Sequence, residues 1–244
     1  MKVIEYLREK VKNGALHMTL IDPAKQEPEL AGEIAASADR FGTDAIMVGG
    51  STGITQENLD ATILAIKKST KLPVIYFPSG AHAISPYSDA IYFMSMLNSR
   101  NVKMIIGEQV AGSRIVKKLG LEPVSMGYII IEPGMKAGEV GQADAIKRDD
   151  PKTAVAYALA AEYMGMQLVY LEAGSGAPSP VPSEIICEVR KNITVPLIVG
   201  GGIREPEQAA MVRKAGANII VTGTIVENGD YHIKLKAIIQ AVKG

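Results

Sequence analysis

The chain has 244 residues, 47% of them hydrophobic and 21% charged, with 26 Lys and Arg balanced by 26 Asp and Glu. That apolar content excludes a disordered chain, and a neutral balance without a basic run argues against nucleic acid as a main partner, because phosphate neutralisation needs clustered cations. Cys187 is the single cysteine, which excludes an internal disulfide and a Cys-based zinc site.

The first residues, Met1 to Arg8, mix charge and apolar side chains and read as an amphipathic helix rather than a signal peptide. Eight short β-rich runs follow, at 17–22, 45–50, 74–78, 103–107, 126–132, 168–172, 196–200 and 218–223. They are apolar without polar alternation, as strands buried on both faces of a parallel sheet are. Helical signals separate most of them. Thr55 is an N-cap before a face of Leu59, Thr62, Ile63 and Ile66. Asp150-Pro151 opens a helix with a face of Val155, Ala158, Leu159 and Tyr163. Pro206 opens another that stops at Gly216, and Tyr231 to Val242 forms the last. Residues 79–87, with Gly80 and Pro86, are poor in helix formers, so the crossover after strand 3 is expected to be irregular.

Eight βα units without a linker predict one domain over residues 1–244, a (β/α)₈ TIM barrel, with an open doubly wound sheet as the rival. No apolar run approaches the roughly 20 residues of a membrane helix. A cytoplasmic protein is expected, with transient membrane-surface contact left open.

In such a barrel the chemistry sits at the carboxyl ends of the strands. The last two runs end in Gly200-Gly201-Gly202-Ile203 and Thr222-Gly223-Thr224. Glycines there let a phosphate approach backbone N–H groups, although each is also an ordinary tight turn. Strand 6 ends in Tyr170-Leu171-Glu172-Ala173-Gly174-Ser175-Gly176. Alternation sends Tyr170 and Glu172 inward, where Glu172 is suited to accept a hydroxyl proton or to pair with an interior Lys. Ser175 is suited to hold a phosphate. Asp22, followed by Pro23 and Lys25, and Ser51 lie at the ends of adjacent strands. They form a hard-oxygen corner suited to Mg²⁺, or else a capping residue and a turn residue.

The three histidines show no zinc spacing: His17 starts strand 1 and is expected to be packed, His82 lies in the irregular crossover, and His232 is expected at the surface. No G-x-S-x-G elbow is present. Tyr76, Phe77, Tyr87, Tyr92, Phe93, Tyr128 and many of the 11 methionines are core residues or the lining of a hydrocarbon groove.

Together Leu20-Ile21-Asp22-Pro23, Gly49-Gly50-Ser51, Tyr170 to Gly176, Gly200 to Arg204 and Thr222-Gly223-Thr224 resemble the geranylgeranylglyceryl and heptaprenylglyceryl phosphate synthase family over nearly the whole chain. The resemblance implies an Mg²⁺-dependent prenyltransferase of phospholipid biosynthesis. It would join the 3-hydroxyl of sn-glycerol 1-phosphate to a polyprenyl diphosphate, geranylgeranyl above all, and release diphosphate. By position, Asp22 and Ser51 would hold Mg²⁺. Tyr170, Leu171, Glu172, Ala173, Gly174, Ser175, Gly176, Gly201, Gly202, Gly223 and Thr224 would bind glycerol phosphate, with Glu172 and Tyr170 catalytic. Bacterial relatives carry a Lys two places before the matching Asp, where this chain has Leu20. That departure and Pro78-Ser79-Gly80 align it with the larger archaeal group of homodimers and homohexamers. The competing readings are a phosphate-binding isomerase or lyase of amino-acid biosynthesis, using Asp22, Glu108, Glu132 and Glu172, and a non-catalytic lipid-phosphate carrier.

Overall fold

The structure, a computed structural model, describes residues 1–227 and 229–244. Eight parallel strands hydrogen-bond in chain order and close on themselves: β1 (Leu16–Ile21), β2 (Ala45–Val48), β3 (Val74–Tyr76), β4 (Ala90–Met96), β5 (Glu122–Ile130), β6 (Leu168–Glu172), β7 (Leu197–Gly200) and β8 (Ile219–Thr222). Closure pairs Leu16 with Ile219 and Thr19 with Thr222. The helices are α1 (Val3–Lys10), α2 (Pro28–Phe41), α3 (Gln56–Ser69), α4 (Glu108–Leu119), α5 (Met135–Val140), α6 (Pro151–Tyr163), α7 (Ser183–Asn192), α8 (Pro206–Lys214) and α9 (His232–Lys243). The chain is thus a (β/α)₈ TIM barrel, and the open-sheet rival is excluded.

Two apolar layers follow from strand alternation. One fills the barrel, with Met18, Met47, Tyr92, Met126, Tyr170 and Val221 among its members. The other, including Ile21, Val48, Ile129, Leu171 and Ile220, faces the helices. The amphipathic N-terminal helix is present, and Val3, Ile4 and Leu7 join the interior layer and stopper the end of the barrel away from the strand carboxyl ends. Glu122 fixes it there by accepting the Val3 and Ile4 N–H groups at 2.6 and 2.9 Å, a carboxylate at the positive end of a helix. Thr55 caps α3 through the Asn58 N–H at 3.1 Å, and Asp150 caps α6 through the Thr153 N–H at 3.0 Å, as expected. The α3 face of Leu59, Thr62, Ile63 and Ile66 is buried as read.

Two expectations need correction. Residues 103–107 are not strand 4: Lys103–Gly107 forms a wide helical turn that runs into α4. The fourth strand is Ala90–Met96, which matches β5 over seven register positions from Ala90↔Glu122 to Met96↔Tyr128. Met104-Ile105-Ile106 is as apolar as a strand, and only that non-local pairing separates the two candidates. On α6 the buried face is Ala154, Ala158 and Ala161, whereas Tyr163 is 80% exposed. The expected irregular crossover is present: no helix lies between β3 and β4, and β3 is short enough to pair with only Ala90 and Ile91 of β4. The upper edge of β4 is therefore left without a strand neighbour on that side.

Candidate active site

At the end of β6, Glu172 points into the barrel mouth and is buried, and among the described residues no Lys forms an ion pair with it. Its Oε1 accepts the Gly174 N–H at 2.6 Å, and its Oε2 accepts the Tyr128 hydroxyl at 3.2 Å, with the Tyr170 hydroxyl close by. Burial pushes the carboxyl above its ordinary value of 4.5, and these three donors only partly offset that rise. The same burial, reinforced by the Glu172 charge, drives both phenols well above their usual range, so they stay protonated donors. Phe77 stacks on Tyr170 with centroids 5.7 Å apart and meets Tyr128 edge-on at 5.5 Å, which fixes the floor of the mouth.

Three loops interlock above that floor. Gly201 has φ +82°, and a Cβ on it would come within 2.6 Å of the Gly174 nitrogen, so only glycine lets the β7 and β6 loops touch. The Ser175 and Thr224 hydroxyls lie 3.2 Å apart, which joins the β6 and β8 loops. Among the described residues the N–H groups of Ser175, Gly176 and Gly202 donate to no protein acceptor. Side chains do not reach the mouth from every residue expected there: Leu171 and Ala173 belong to the outer layer, under the helices.

Next to the β8 loop, Asp22 directly follows β1. Its Oδ1 accepts the Ala24 N–H at 3.0 Å, so it does shape its turn. Oδ2 lies 4.0 Å from the Lys25 ammonium, which is itself held at 2.8 Å by Glu227. Burial, with a smaller contribution from Glu227, moves the Asp22 carboxyl up despite the Ala24 bond and Lys25. The neighbouring strand end approaches so closely that a Cβ on Gly50 would overlap the carboxylate. Among the described residues no three His, Cys, Asp or Glu side chains form a metal-binding group.

Asp22, Ser51, Phe77, Glu172, Ser175 and Gly223 face one cavity. It encloses about 1160 Å³ counting the space open to solvent at its mouth, more than a three-carbon phosphate needs. Pro78, Ser79, Met94, Met96 and Met104 belong both to this cavity and to an apolar groove that runs on between β4 and α4, past Tyr92, Phe93 and Val116. Its other wall is Gly80, Ala81 and Ile84 of the β3–β4 crossover, which forms no helix. Of the other aromatic residues, Tyr76 is in the outer layer and Tyr87 is exposed.

Sequence reasoning gave no role to Lys25 or Lys136, although both line the cavity. An exposed Lys, in a turn as Lys25 is or in the first turn of a helix as Lys136 is, carries no local signal of what it faces. Glu108 is not a strand-end acid. It begins α4, accepts the Ala81 N–H at 2.6 Å and pairs with Lys103 at 3.0 Å. Glu132 is exposed. The multi-carboxylate arrangement of an isomerase or lyase is therefore not assembled. His17 is fully buried between the Thr43 and Thr222 hydroxyls at 2.8 and 2.9 Å, and burial with the Lys243 charge lowers its pKa to about 3. His82 reaches the Ile54 carbonyl at 3.2 Å, and His232 is exposed.

A barrel with open amides on its last loops, a buried carboxylate on its floor and an acid corner at the end of β1 defines a phosphate-binding (β/α)₈ enzyme architecture. The PcrB family model matches residues 5–242, and the chain belongs to that family. It is 58% identical to the geranylgeranylglyceryl phosphate synthase of Thermococcus gammatolerans over 226 residues, covering 93% of this chain and 90% of the relative. It is 55% identical to that of Thermococcus kodakarensis over 247 residues, covering 100% and 98%. Among solved structures, the (S)-3-O-geranylgeranylglyceryl phosphate synthase of Thermoplasma acidophilum, in complex with its substrate sn-glycerol-1-phosphate, superimposes with a TM-score of 0.97 at 46% identity, covering 100% of this chain and 99% of that one.

The Glu172 environment gives a pH prediction. Tyr128 donates to the carboxylate and so lowers its pKa; Tyr128→Phe removes that donor and raises it further. If ionised Glu172 is needed, the acid limb of kcat/KM lies above 4.5 in the parent and moves to higher pH in the variant. Rate profiles of the two proteins check this, and a limb that moves down or stays put removes Glu172 from the ionisation.

Proposed function

We propose that the chain is a geranylgeranyl-transferring enzyme that joins the 3-hydroxyl of sn-glycerol 1-phosphate to C1 of geranylgeranyl diphosphate, the first ether bond of archaeal phospholipids. The observation that carries this is the continuity of one cavity from the amide rim, over Glu172 and past Asp22, into an apolar groove. A small polar phosphate uses the first half of that space and a hydrocarbon the second. The family relatives and the glycerol phosphate complex of the Thermoplasma protein support the same pair of substrates.

In this reading the phosphate of glycerol phosphate is held by the N–H groups of Ser175, Gly176 and Gly202, the Gly223 loop, and the Ser175 and Thr224 hydroxyls. Tyr170 to Gly176, with Gly201, form the wall that gives these donors their positions. Glu172 accepts a hydrogen bond from the 3-hydroxyl. As the C1–oxygen bond to diphosphate breaks, its electron pair leaves with the diphosphate, and the hydroxyl oxygen bonds to C1. The proton passes to Glu172, whose raised pKa suits it to receive one late, when the hydroxyl has become acidic. Holding the two reacting atoms together supplies much of the acceleration. Lys136 lines the cavity where it can meet the diphosphate charge, and the methionine-rich groove excludes water from the allylic carbon.

The Asp22 corner fits Mg²⁺. It offers one poorly solvated carboxylate whose neighbouring cation is already paired elsewhere, with the Ser51 hydroxyl on the same cavity. Mg²⁺ is bound by one or two protein oxygens together with waters and substrate phosphates, so a larger carboxylate set is not needed. When bound there by Asp22 and Ser51, it would neutralise charge developing on the departing diphosphate.

The same reading has the chain acting as one domain, in the cytoplasm, as a homodimer or homohexamer. Among the described residues no helix is long and apolar enough to cross a membrane, and Tyr163 and Met164 offer exposed apolar area for a contact between copies. The test offers glycerol 1-phosphate, glycerol 3-phosphate and prenyl diphosphates of several lengths, with and without Mg²⁺, and identifies products by mass. The expected product is the ether of glycerol 1-phosphate with the 20-carbon chain. Absence of ether product from every pair sinks the proposal.

A further inference from the structure

We infer that Arg204 is a positioning residue that holds the β6 loop in its phosphate-accepting shape, an inference that rests on the reading of that loop as the glycerol phosphate site. The segment Gly174-Ser175-Gly176-Ala177 has two glycines at φ +99° and +80°. It is closed by one backbone bond, from the Ala177 N–H to the Gly174 carbonyl at 3.0 Å. Such a turn is costly to order, and its peptide groups can rotate with little steric resistance. A carbonyl rotated into the mouth would present negative charge where the phosphate must sit.

Arg204 opposes that rotation. Its Nη2 donates to the Gly176 and Ala177 carbonyls at 2.5 and 2.8 Å, which keeps both oxygens turned toward the guanidinium. Charge-assisted bonds of this kind are roughly twice as strong as neutral ones. The arginine is itself anchored, because its backbone N–H and that of Glu205 both donate to the Gln208 side chain, at 2.8 and 3.1 Å, in the first turn of α8. Further along the same loop, Arg148 donates to the Pro180 carbonyl at 2.7 Å and to that of Glu132 at 3.1 Å. Among the described residues no carboxylate forms an ion pair with Arg204. Its charge therefore stands unneutralised behind a loop that is to receive a dianion, adding an attractive field to its mechanical role.

The test compares the parent with Arg204→Met, which removes the bonds and the charge, and Arg204→Lys, which keeps the charge and one donor group. Calorimetric binding of glycerol 1-phosphate to the full chain, both KM values, kcat and Tm are measured. For Arg204→Met the Kd and KM for glycerol 1-phosphate are expected to rise about 30- to 100-fold, about the worth of one charge-assisted bond, because the two lost bonds order the loop rather than touch the ligand. The KM for the prenyl diphosphate and kcat at saturating glycerol phosphate should change less than about threefold, because the loss is one of binding. Arg204→Lys should recover most of the affinity, and it is the deciding variant if the Met form does not fold. Unchanged glycerol phosphate affinity in the variants overturns the role. A parallel loss of both KM values, kcat and Tm overturns it too, since that is a general structural defect. A parent protein that binds no glycerol 1-phosphate overturns the underlying reading instead.

Discussion

Glu172→Gln is expected to lower kcat by about 10²- to 10⁴-fold, the usual range for loss of a positioned proton acceptor, with the fold intact. The amide oxygen can still accept the Gly174 N–H, and its NH₂ group can donate to the Tyr128 and Tyr170 hydroxyls, which accept as readily as they donate. Replacing a buried carboxyl whose pKa is raised also removes a group that becomes costly once ionised. The sign for stability follows. A raised folded-state pKa means that the native state holds its proton more tightly, so the stabilisation is present below 4.5 and is lost as pH rises through the folded value. Near neutral pH the Gln variant should accordingly melt at or slightly above the parent temperature. Glu172→Asp keeps the charge but withdraws the carboxylate by about one bond length. A displacement near 1 Å can cost about 10²-fold, so this variant should also be slow. Single-turnover rates and thermal melts check both variants. Parent-like kcat in the Gln protein would exclude proton transfer to this residue.

The barrel was legible because a parallel strand covered on both faces must be apolar throughout, and seven of the eight runs have that form at their true positions. The eighth failed for a reason internal to the signal. Ala90–Met96 contains Tyr92 and Ser95 and follows the Pro86–Asp89 turn region, whereas Met104-Ile105-Ile106 is uninterrupted. The choice between them depends on β5, which lies more than 25 residues beyond the true strand. Asp22 and Glu172 were legible because strand ends are few and ionisable groups on them are fewer. The pairing of Glu172 with Tyr128 was not, since register between β5 and β6 decides it. Nor was the apolar groove as a shape: composition flagged the aromatic and methionine residues, but the groove forms between α4 and a β3–β4 crossover that has no helix. Arg204 was visible only as the tail of a glycine motif, because its partners are carbonyls, which carry no residue identity.

Asp22→Ala is expected to reduce Mg²⁺-dependent turnover at least about 10³-fold, a few kcal/mol of lost charge stabilisation at the departing diphosphate. Two roles of the residue have to be separated, because Asp22 both faces the cavity and accepts the Ala24 N–H. The backbone carbonyl of Asp22 still accepts the Lys25 and Gln26 N–H groups at 2.9 and 3.0 Å, and its N–H still donates to the Gln26 side chain at 2.9 Å. The turn therefore loses one of four bonds, about 1 kcal/mol, and the barrel should remain folded. Asp22→Asn decides between the roles. It preserves an oxygen for Ala24 and nearly the same volume beside Gly50, where no larger group fits, but carries no charge. If the carboxylate holds the cation, the Asn protein is as inactive as the Ala protein, and raising Mg²⁺ recovers only part of the rate in either. If Asp22 serves the turn alone, the Asn protein works like the parent and the Ala protein loses only stability. Glycerol 1-phosphate binding should survive in both variants, because the open amides of Ser175, Gly176 and Gly202 lie on the β6 and β7 loops, which are separated from β1 by β8.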